Sequence, residues 1–245
     1  MKKNLKRRDF LKKASVAGAA AVATSTLSAP AIASGHQEWI VCSAFGKAGL
    51  LGQAIQAFGD NVNKYSDKLK IKVYHAGELV PGLESLDAVR SGAAQASYGA
   101  PYYWKNLSDA IEFVATCPFG MNAMEQNAWC YYGGGIEEAD KIYNALGLKF
   151  LPMGNTGNQM GGWFNKEINT PSDYKGLKMR MPGLGGRTIE KLGATPVLLA
   201  GPDVLPSLSS GAVDAAEWIC PAADLGAGLY QAAKYYYGPG WHEPS

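Results

Sequence analysis

Short apolar runs suited to buried strands alternate along this chain with stretches of helical periodicity. That alternation constrains the fold more than any other feature. Residues 39–42 (Trp-Ile-Val-Cys) form such a run. After a small-residue turn at 46–49, apolar residues Leu51, Ile55, Phe58 and Val62 repeat at helical spacing over 50–65. Residues 69–74 then alternate Leu69, Ile71 and Val73 with lysines, the period of a strand. A Gly/Pro loop (76–82), a helix over 83–90 and a short segment at 95–100 complete the first series. Strand, helix, strand in this order predicts an α/β fold with a mainly parallel sheet.

The pattern resumes in shorter units. Residues 125–146 read as helix with a glycine break at 133–135, and 149–153 as a strand. Strands are expected at 162–164, 177–181, 195–199 and 213–218, helices at 187–192, 203–209 and 222–234, and a turn at 171–173. This is more chain than one typical α/β domain needs, so two lobes are expected, 34–153 and 154–217. Residues 218–245 are expected to cross back between them. No internal repeat and no long linker is visible. The aromatic run Tyr235-Tyr236-Tyr237 and the Gly-Pro-Gly-Trp-His-Glu-Pro-Ser end would ordinarily lead into more structure, so a C-terminally truncated fragment is expected.

Residues 1–33 have a basic start, a weakly apolar Ala-rich middle and a small-residue end at Ala31-Ile32-Ala33, the order of an export signal. The middle is too short and polar for a membrane span. Arg7 and Arg8, followed by Asp9-Phe10-Leu11-Lys12, match a twin-arginine signal, with cleavage expected after Ala33. The signal carries a net +6, leaving −4 on the remainder of a chain whose total is +2. A mildly acidic exported protein gives no reason to expect nucleic acid or an anionic membrane as partner. Cys42, Cys117, Cys130 and Cys220 form no C-x-x-C pair, and apolar neighbours around three of them favour buried free thiols over disulfides.

Catalytic patterns are missing. The three histidines, His36, His75 and His242, belong to no H-E-x-x-H, and neither a G-x-S-x-G elbow nor a Walker loop occurs. Glycines at 183–186 admit an anion-binding reading, but the full G-x-G-x-x-G spacing is absent and a strand-to-helix turn explains them. Three stretches remain. Residues 155–163 set Asn158 and Gln159 among glycines, either a plain loop or a close approach to a ligand. Arg180 shares a strand face with Lys178, opposite Leu177, Met179 and Met181, which alone reads as a half-exposed strand. Glu217 ends an apolar strand beside Trp218, and is either a solvated carboxylate or a metal or ion-pair partner.

Taken together, GNTGNQMGGWF (154–164), GLKMRMPGLGG (176–186), SGAVDAAEW (210–218) and AAKYYYGPGWHEP (232–244) resemble the solute-binding subunit of tripartite ATP-independent periplasmic (TRAP) transporters. The resemblance points to the branch that binds 2-oxo acids such as pyruvate, and covers about 38–244. It implies a two-lobed periplasmic binding protein, type II-like, each lobe a mainly parallel sheet flanked by helices. It implies a non-catalytic periplasmic receptor that delivers a small carboxylate to the permease subunits in the membrane. By resemblance, Arg180 binds the ligand carboxylate. A sodium or calcium ion bridging to the ligand is held by Gln159, Glu217 and the backbone at Trp218. Tyr102, Tyr103 and Trp218 wall the cleft, and Asn158 is a further candidate contact. No organic cofactor is implied. Many members carry an acidic-Asn pair where this chain has Glu217-Trp218, which favours the metal-using branch over the dicarboxylate branch. Family members continue beyond the W-H-E-P stretch, and some dimerise through a long C-terminal helix, so a homodimer is an expectation for the intact protein. The competing readings are a receptor for another anion (lactate, a dicarboxylate or a sulfonate) and an exported enzyme, motivated by the twin-arginine signal.

Overall fold

Three parallel strands open the fold: β1 (Gln37–Ser43), β2 (Leu69–Tyr74) and β3 (Ala96–Tyr98), in the order β2-β1-β3. The computed structural model describes residues 35–115 and 117–240. The expected signal at 1–33 and the end at 241–245 lie outside the described residues. Parallel neighbours need a crossover, and helix α1 (Leu50–Tyr65) supplies it between β1 and β2. Its Ile55 packs with Val41 and Ile71. Phe58, expected on the buried stripe, is 43% exposed, and Gly59 takes the buried place. A Cβ at Gly59 would lie 2.9 Å from Val73 Cγ2, so the helix approaches β2 more closely than a side chain permits.

Helix α2 (Ser85–Arg90) precedes β3, and a 3₁₀ turn at Pro101–Trp104 then buries Tyr102, Tyr103 and Trp104. The Trp104 indole N–H donates to the Leu83 carbonyl at 2.9 Å, which fixes this aromatic turn on the first sheet's core. Helices α3 (Ala123–Tyr132) and α4 (Gly135–Asn144) part where a glycine break was expected, at Gly134 with φ +87°. Asn122 caps α3 and Glu125 reciprocates, a capping box that sets the start. The strand expected at 149–153 does not form. Phe150 N–H donates to Asp140 Oδ1 at 3.3 Å, Lys149 pairs with Asp140, and the Phe150 ring lies 5.2 Å from Tyr143. The segment is bound to α4 through side chains rather than to a strand.

The second sheet has the order β6-β5-β7-β4-β8, with β4 (Gly162–Phe164), β5 (Lys178–Arg180), β6 (Thr195–Val197), β7 (Ala215–Ala216) and β8 (Tyr235–Tyr237). β5 runs parallel to β6 and β7, whereas β4 runs antiparallel to β7 and β8, so β4 alone is reversed. The mainly parallel α/β expectation holds. Helices α5 (Gly183–Lys191) and α6 (Gly201–Ser209) connect β5 to β6 and β6 to β7. Phe164, Met179, Ile189 and Ala215 pack in one cluster, and Val204, Leu208, Ala216 and Leu229 in another. Ala215 and Ala216 point to opposite faces, and both are fully buried. Central strands covered on both sides read as apolar throughout, as here.

Several boundaries differ from expectation. α5 begins at Gly183, not at 187, because the glycine turn is already its first turn. The strand expected over 213–218 narrows to Ala215–Ala216, although Asp214 N–H to Lys178 O (2.7 Å) and Glu217 N–H to Arg180 O (3.0 Å) prolong its alignment. The helix expected at 222–234 stops early. Gly228, with φ +74°, ends α7 (Pro221–Ala227), and a 3₁₀ turn at Leu229–Gln231 leads to β8. Beyond α7 the chain adds β8 to the edge of the second sheet, beside β4. Cys42, Cys130 and Cys220 form no disulfide, and burial raises the thiol pKa values of Cys42 and Cys130. No helix among the described residues is long and apolar enough to cross a membrane.

The turn at Pro171–Tyr174 offers a pH test. Asp173 Oδ2 accepts from the backbone N–H of Asn169 (2.9 Å) and Thr170 (2.7 Å), and these bonds hold its carboxyl below the ordinary 3.8. A lowered folded pKa contributes stability that is present above the unfolded value and lost as pH falls through the folded one. Asp173→Ala is therefore expected to lower the melting temperature at pH 7, with the deficit closing in melts run well below pH 3.8.

Candidate ligand-binding site

β5 ends on Arg180, and this end of the strand is sealed. Arg180 is 1% exposed, whereas Lys178 on the same face is exposed. The half-exposed strand expected from period two is thereby corrected: the face is solvated at the strand's start and covered at its end by Tyr103 and Trp218. Arg180 Nη1 donates to the Glu217 carbonyl at 2.6 Å and to Glu217 Oε2 at 3.1 Å, and Nη2 donates to the Tyr103 hydroxyl at 3.3 Å. The guanidinium carbon lies 4.9 Å from the Trp218 ring centroid. Arg180 Nε is buried with no hydrogen-bond acceptor among the described residues. Five N–H donors serve three protein acceptors, so the fork keeps capacity for a carboxylate.

Glu217 is 2% exposed and paired with Arg180 within the fold, which decides between its two readings. Gln159, 3% exposed, uses the N–H end of its amide on Thr156 Oγ1 at 3.0 Å. The backbone bond from Met160 N–H to Ile219 O, 2.8 Å, joins the loop carrying Gln159 to the segment carrying Glu217 and Trp218. These elements surround a cavity of about 10 Å³, room for about one water. Tyr102, Tyr103, Gln159, Arg180 and Trp218 line it together with Phe45. Tyr102 and Tyr103 meet edge-on at 5.1 Å, and Phe45 sits edge-on to Trp218 at 6.5 Å. Burial pushes the Tyr103 hydroxyl pKa up, opposed by the neighbouring Arg180 charge, so it remains a neutral phenol. A Cβ at Gly201 would lie 2.7 Å from Trp218 Cη2, so α6 starts directly against the indole.

Of the residues singled out in the sequence, Arg180, Gln159, Trp218, Tyr102 and Tyr103 meet at one cavity, with Glu217 on its arginine. Asn158 is exposed and does not line it. Phe45, Leu51, Thr156 and Ile219 complete the wall and carried no sequence signal beyond hydrophobicity or loop composition. The glycines of α5 serve packing. Gly183 lies against the Tyr102 ring, and a Cβ at Gly186 would sit 2.5 Å from the Met181 carbonyl oxygen.

The donor set suits a hard cation. Among the described residues no group of three His, Cys, Asp or Glu is placed to hold a metal. The oxygens gathered here are instead an amide, a carboxylate and main-chain carbonyls, which suit sodium or calcium and not a thiolate- or imidazole-seeking metal.

Residues 44–245 match the profile of the DctP family, described as bacterial extracellular solute-binding protein, family 7. The chain belongs to this family. Family 7 is a solute-binding and transport family, not a catalytic one, and its members are extracytoplasmic. A curated relative, the monocarboxylate 2-oxoacid-binding periplasmic protein of Nostoc sp., is 42% identical over 249 aligned positions, covering 98% of this chain and 67% of its own. A solved TRAP periplasmic solute-binding protein of Pseudoalteromonas atlantica, with bound sodium and pyruvate, is 42% identical with a TM-score of 0.81, over 85% of this chain and 64% of that one. Another, from Colwellia psychrerythraea with bound calcium and pyruvate, is 40% identical with a TM-score of 0.79, over 85% and 65%. The chain thus spans about two thirds of the length of these family 7 relatives.

Proposed function

We propose that this protein is the extracytoplasmic receptor of a TRAP transporter, which binds a small 2-oxo monocarboxylate of the pyruvate kind together with a sodium or calcium ion. It passes the acid to the membrane permease. One observation carries the reading: a fully buried arginine with unspent donors lines an aromatic-walled cavity with Gln159, and its guanidinium is paired with Glu217. The ligands bound by the Pseudoalteromonas and Colwellia relatives support the substrate class.

Each residue has a role in this reading. Arg180 presents its fork to the carboxylate and sets its orientation. Glu217, Gln159 and the Trp218 main chain would hold the cation, which would supply positive charge to the ligand's oxygens. Glu217 would then offset two positive charges, the ion and Arg180. Tyr102, Tyr103 and Trp218 exclude water, which strengthens every charge interaction inside. The lobes 34–153 and 154–217, with 218–245 returning between them, close over the ligand. The hydrogen bond from Arg180 to Tyr103, and the ion pairs of Arg187 with Asp109 (2.7 Å) and Glu112 (2.8 Å), support the closed arrangement. Export by the twin-arginine route through Arg7-Arg8, with cleavage after Ala33, belongs to the same reading.

Melting curves test it. Pyruvate at a hundred times its dissociation constant is expected to add about 2.7 kcal/mol of stability in the presence of calcium or sodium. The shift should vanish with chelator in a sodium-free buffer. Stabilisation by succinate that ignores the cation would sink the 2-oxo acid assignment.

A further inference from the structure

Asp224 is fully buried, and the reading above gives it no contact with ligand or ion. Its two oxygens are nonetheless spent on the framework of the site. Oδ1 accepts from the Ile219 backbone N–H at 2.9 Å, and Oδ2 accepts from the Trp163 indole N–H at 3.2 Å. Trp163 in turn stacks on Tyr236 with ring centroids 4.2 Å apart. The Ile219 residue is therefore held at both ends, its N–H by Asp224 and its carbonyl by the Met160 N–H at 2.8 Å. Ile219 follows Glu217 and Trp218, and Met160 follows Gln159. The two segments that supply all the proposed cation donors meet at this one residue.

We infer that Asp224 is a positioning residue of the cation site: it fixes the backbone at Ile219, and through it the Glu217 carboxylate and the Trp218 carbonyl. This rests on the receptor reading. The physical reason is that Ile219 N–H is buried, and a buried donor without an acceptor is costly. Without Asp224 the segment must turn to find another acceptor, which moves the donors next to it. A cation shell tolerates such movement poorly, and losing an outer hydrogen-bond partner of a metal ligand typically weakens metal affinity ten- to a hundredfold. Gly162 makes the segment sensitive, because a Cβ there would lie 3.2 Å from Glu217 Cα, leaving little slack between β4 and the ligand-bearing chain.

The test compares Asp224→Ala with Asp224→Asn, whose amide oxygen still accepts from Ile219 N–H. Calcium is titrated at saturating pyruvate, and amide exchange at Ile219 is followed in protein free of both. Asp224→Ala is expected to weaken calcium about tenfold or more and to speed exchange at Ile219. Asp224→Asn is expected to restore most of both. Should Asp224→Ala fail to fold, Trp163→Phe keeps the stacked ring but loosens the carboxylate. It is then expected to weaken calcium about threefold, less than the ten- to hundredfold loss of a whole outer partner, because Asp224 still accepts from Ile219 N–H. Wild-type calcium affinity and Ile219 protection in the alanine variant, or in Trp163→Phe if that variant decides, would overturn the inference alone. A wild-type protein whose pyruvate binding ignores calcium overturns the receptor reading and takes this inference with it.

Discussion

Replacing Arg180 with alanine is expected to raise the dissociation constant for pyruvate between about 30-fold and several thousandfold. That range corresponds to about 2–5 kcal/mol for truncating one partner of a buried, hydrogen-bonded charge pair. Two effects combine. The ligand carboxylate loses its bidentate donor in a cavity with room for about one water. Glu217, 2% exposed, also loses the guanidinium that offsets its charge, so the variant is expected to melt lower as well. Arg180→Lys separates the two. A lysine keeps the charge but not the planar fork, so it should recover stability more than affinity. A folded Arg180→Ala protein with native affinity for pyruvate would remove Arg180 from the ligand site.

The second large effect concerns Glu217. Glu217→Gln keeps the volume and still offers Arg180 an oxygen, so the fold is expected to survive. The anionic donor is lost. Calcium dependence of pyruvate binding should fall by at least ten- to a hundredfold, the range that losing even an outer partner of a metal ligand reaches. Titrations of pyruvate with and without calcium measure it. The binding that remains should be indifferent to calcium. An unchanged calcium effect in Glu217→Gln would show that this carboxylate holds no ion.

The chemistry of the site was more legible in the sequence than its burial. The residues Gln159, Arg180 and Trp218, with Tyr102 and Tyr103, lie in separate stretches, yet the fold gathers them on one cavity. The period of two places Lys178 and Arg180 on one face but carries no information on what covers each end of the strand. The cover comes from the aromatic turn at Pro101–Trp104 and from Trp218, both distant in sequence. Asn158 stands beside Gln159 but is exposed, since the loop turns one amide inward and its neighbour outward. Asp224 was invisible for another reason. An aspartate in the first turn of a short helix looks like a helix-end residue, and only the tertiary fold brings Ile219 and Trp163 to its oxygens. Strand 149–153 failed because its hydrogen bonding goes to Asp140 on α4. α1, β1, β2 and the α3–α4 break held because their periodicity, capping and glycine positions act locally.

The most direct test of the account is a calorimetric titration of pyruvate into the protein in three buffers, with calcium, with sodium, and with chelator free of both. One pyruvate per chain is expected to bind in the first or second buffer and none measurably in the third. Equal affinity for pyruvate in all three, or binding of succinate in preference to pyruvate, would contradict a cation-assisted 2-oxo acid receptor.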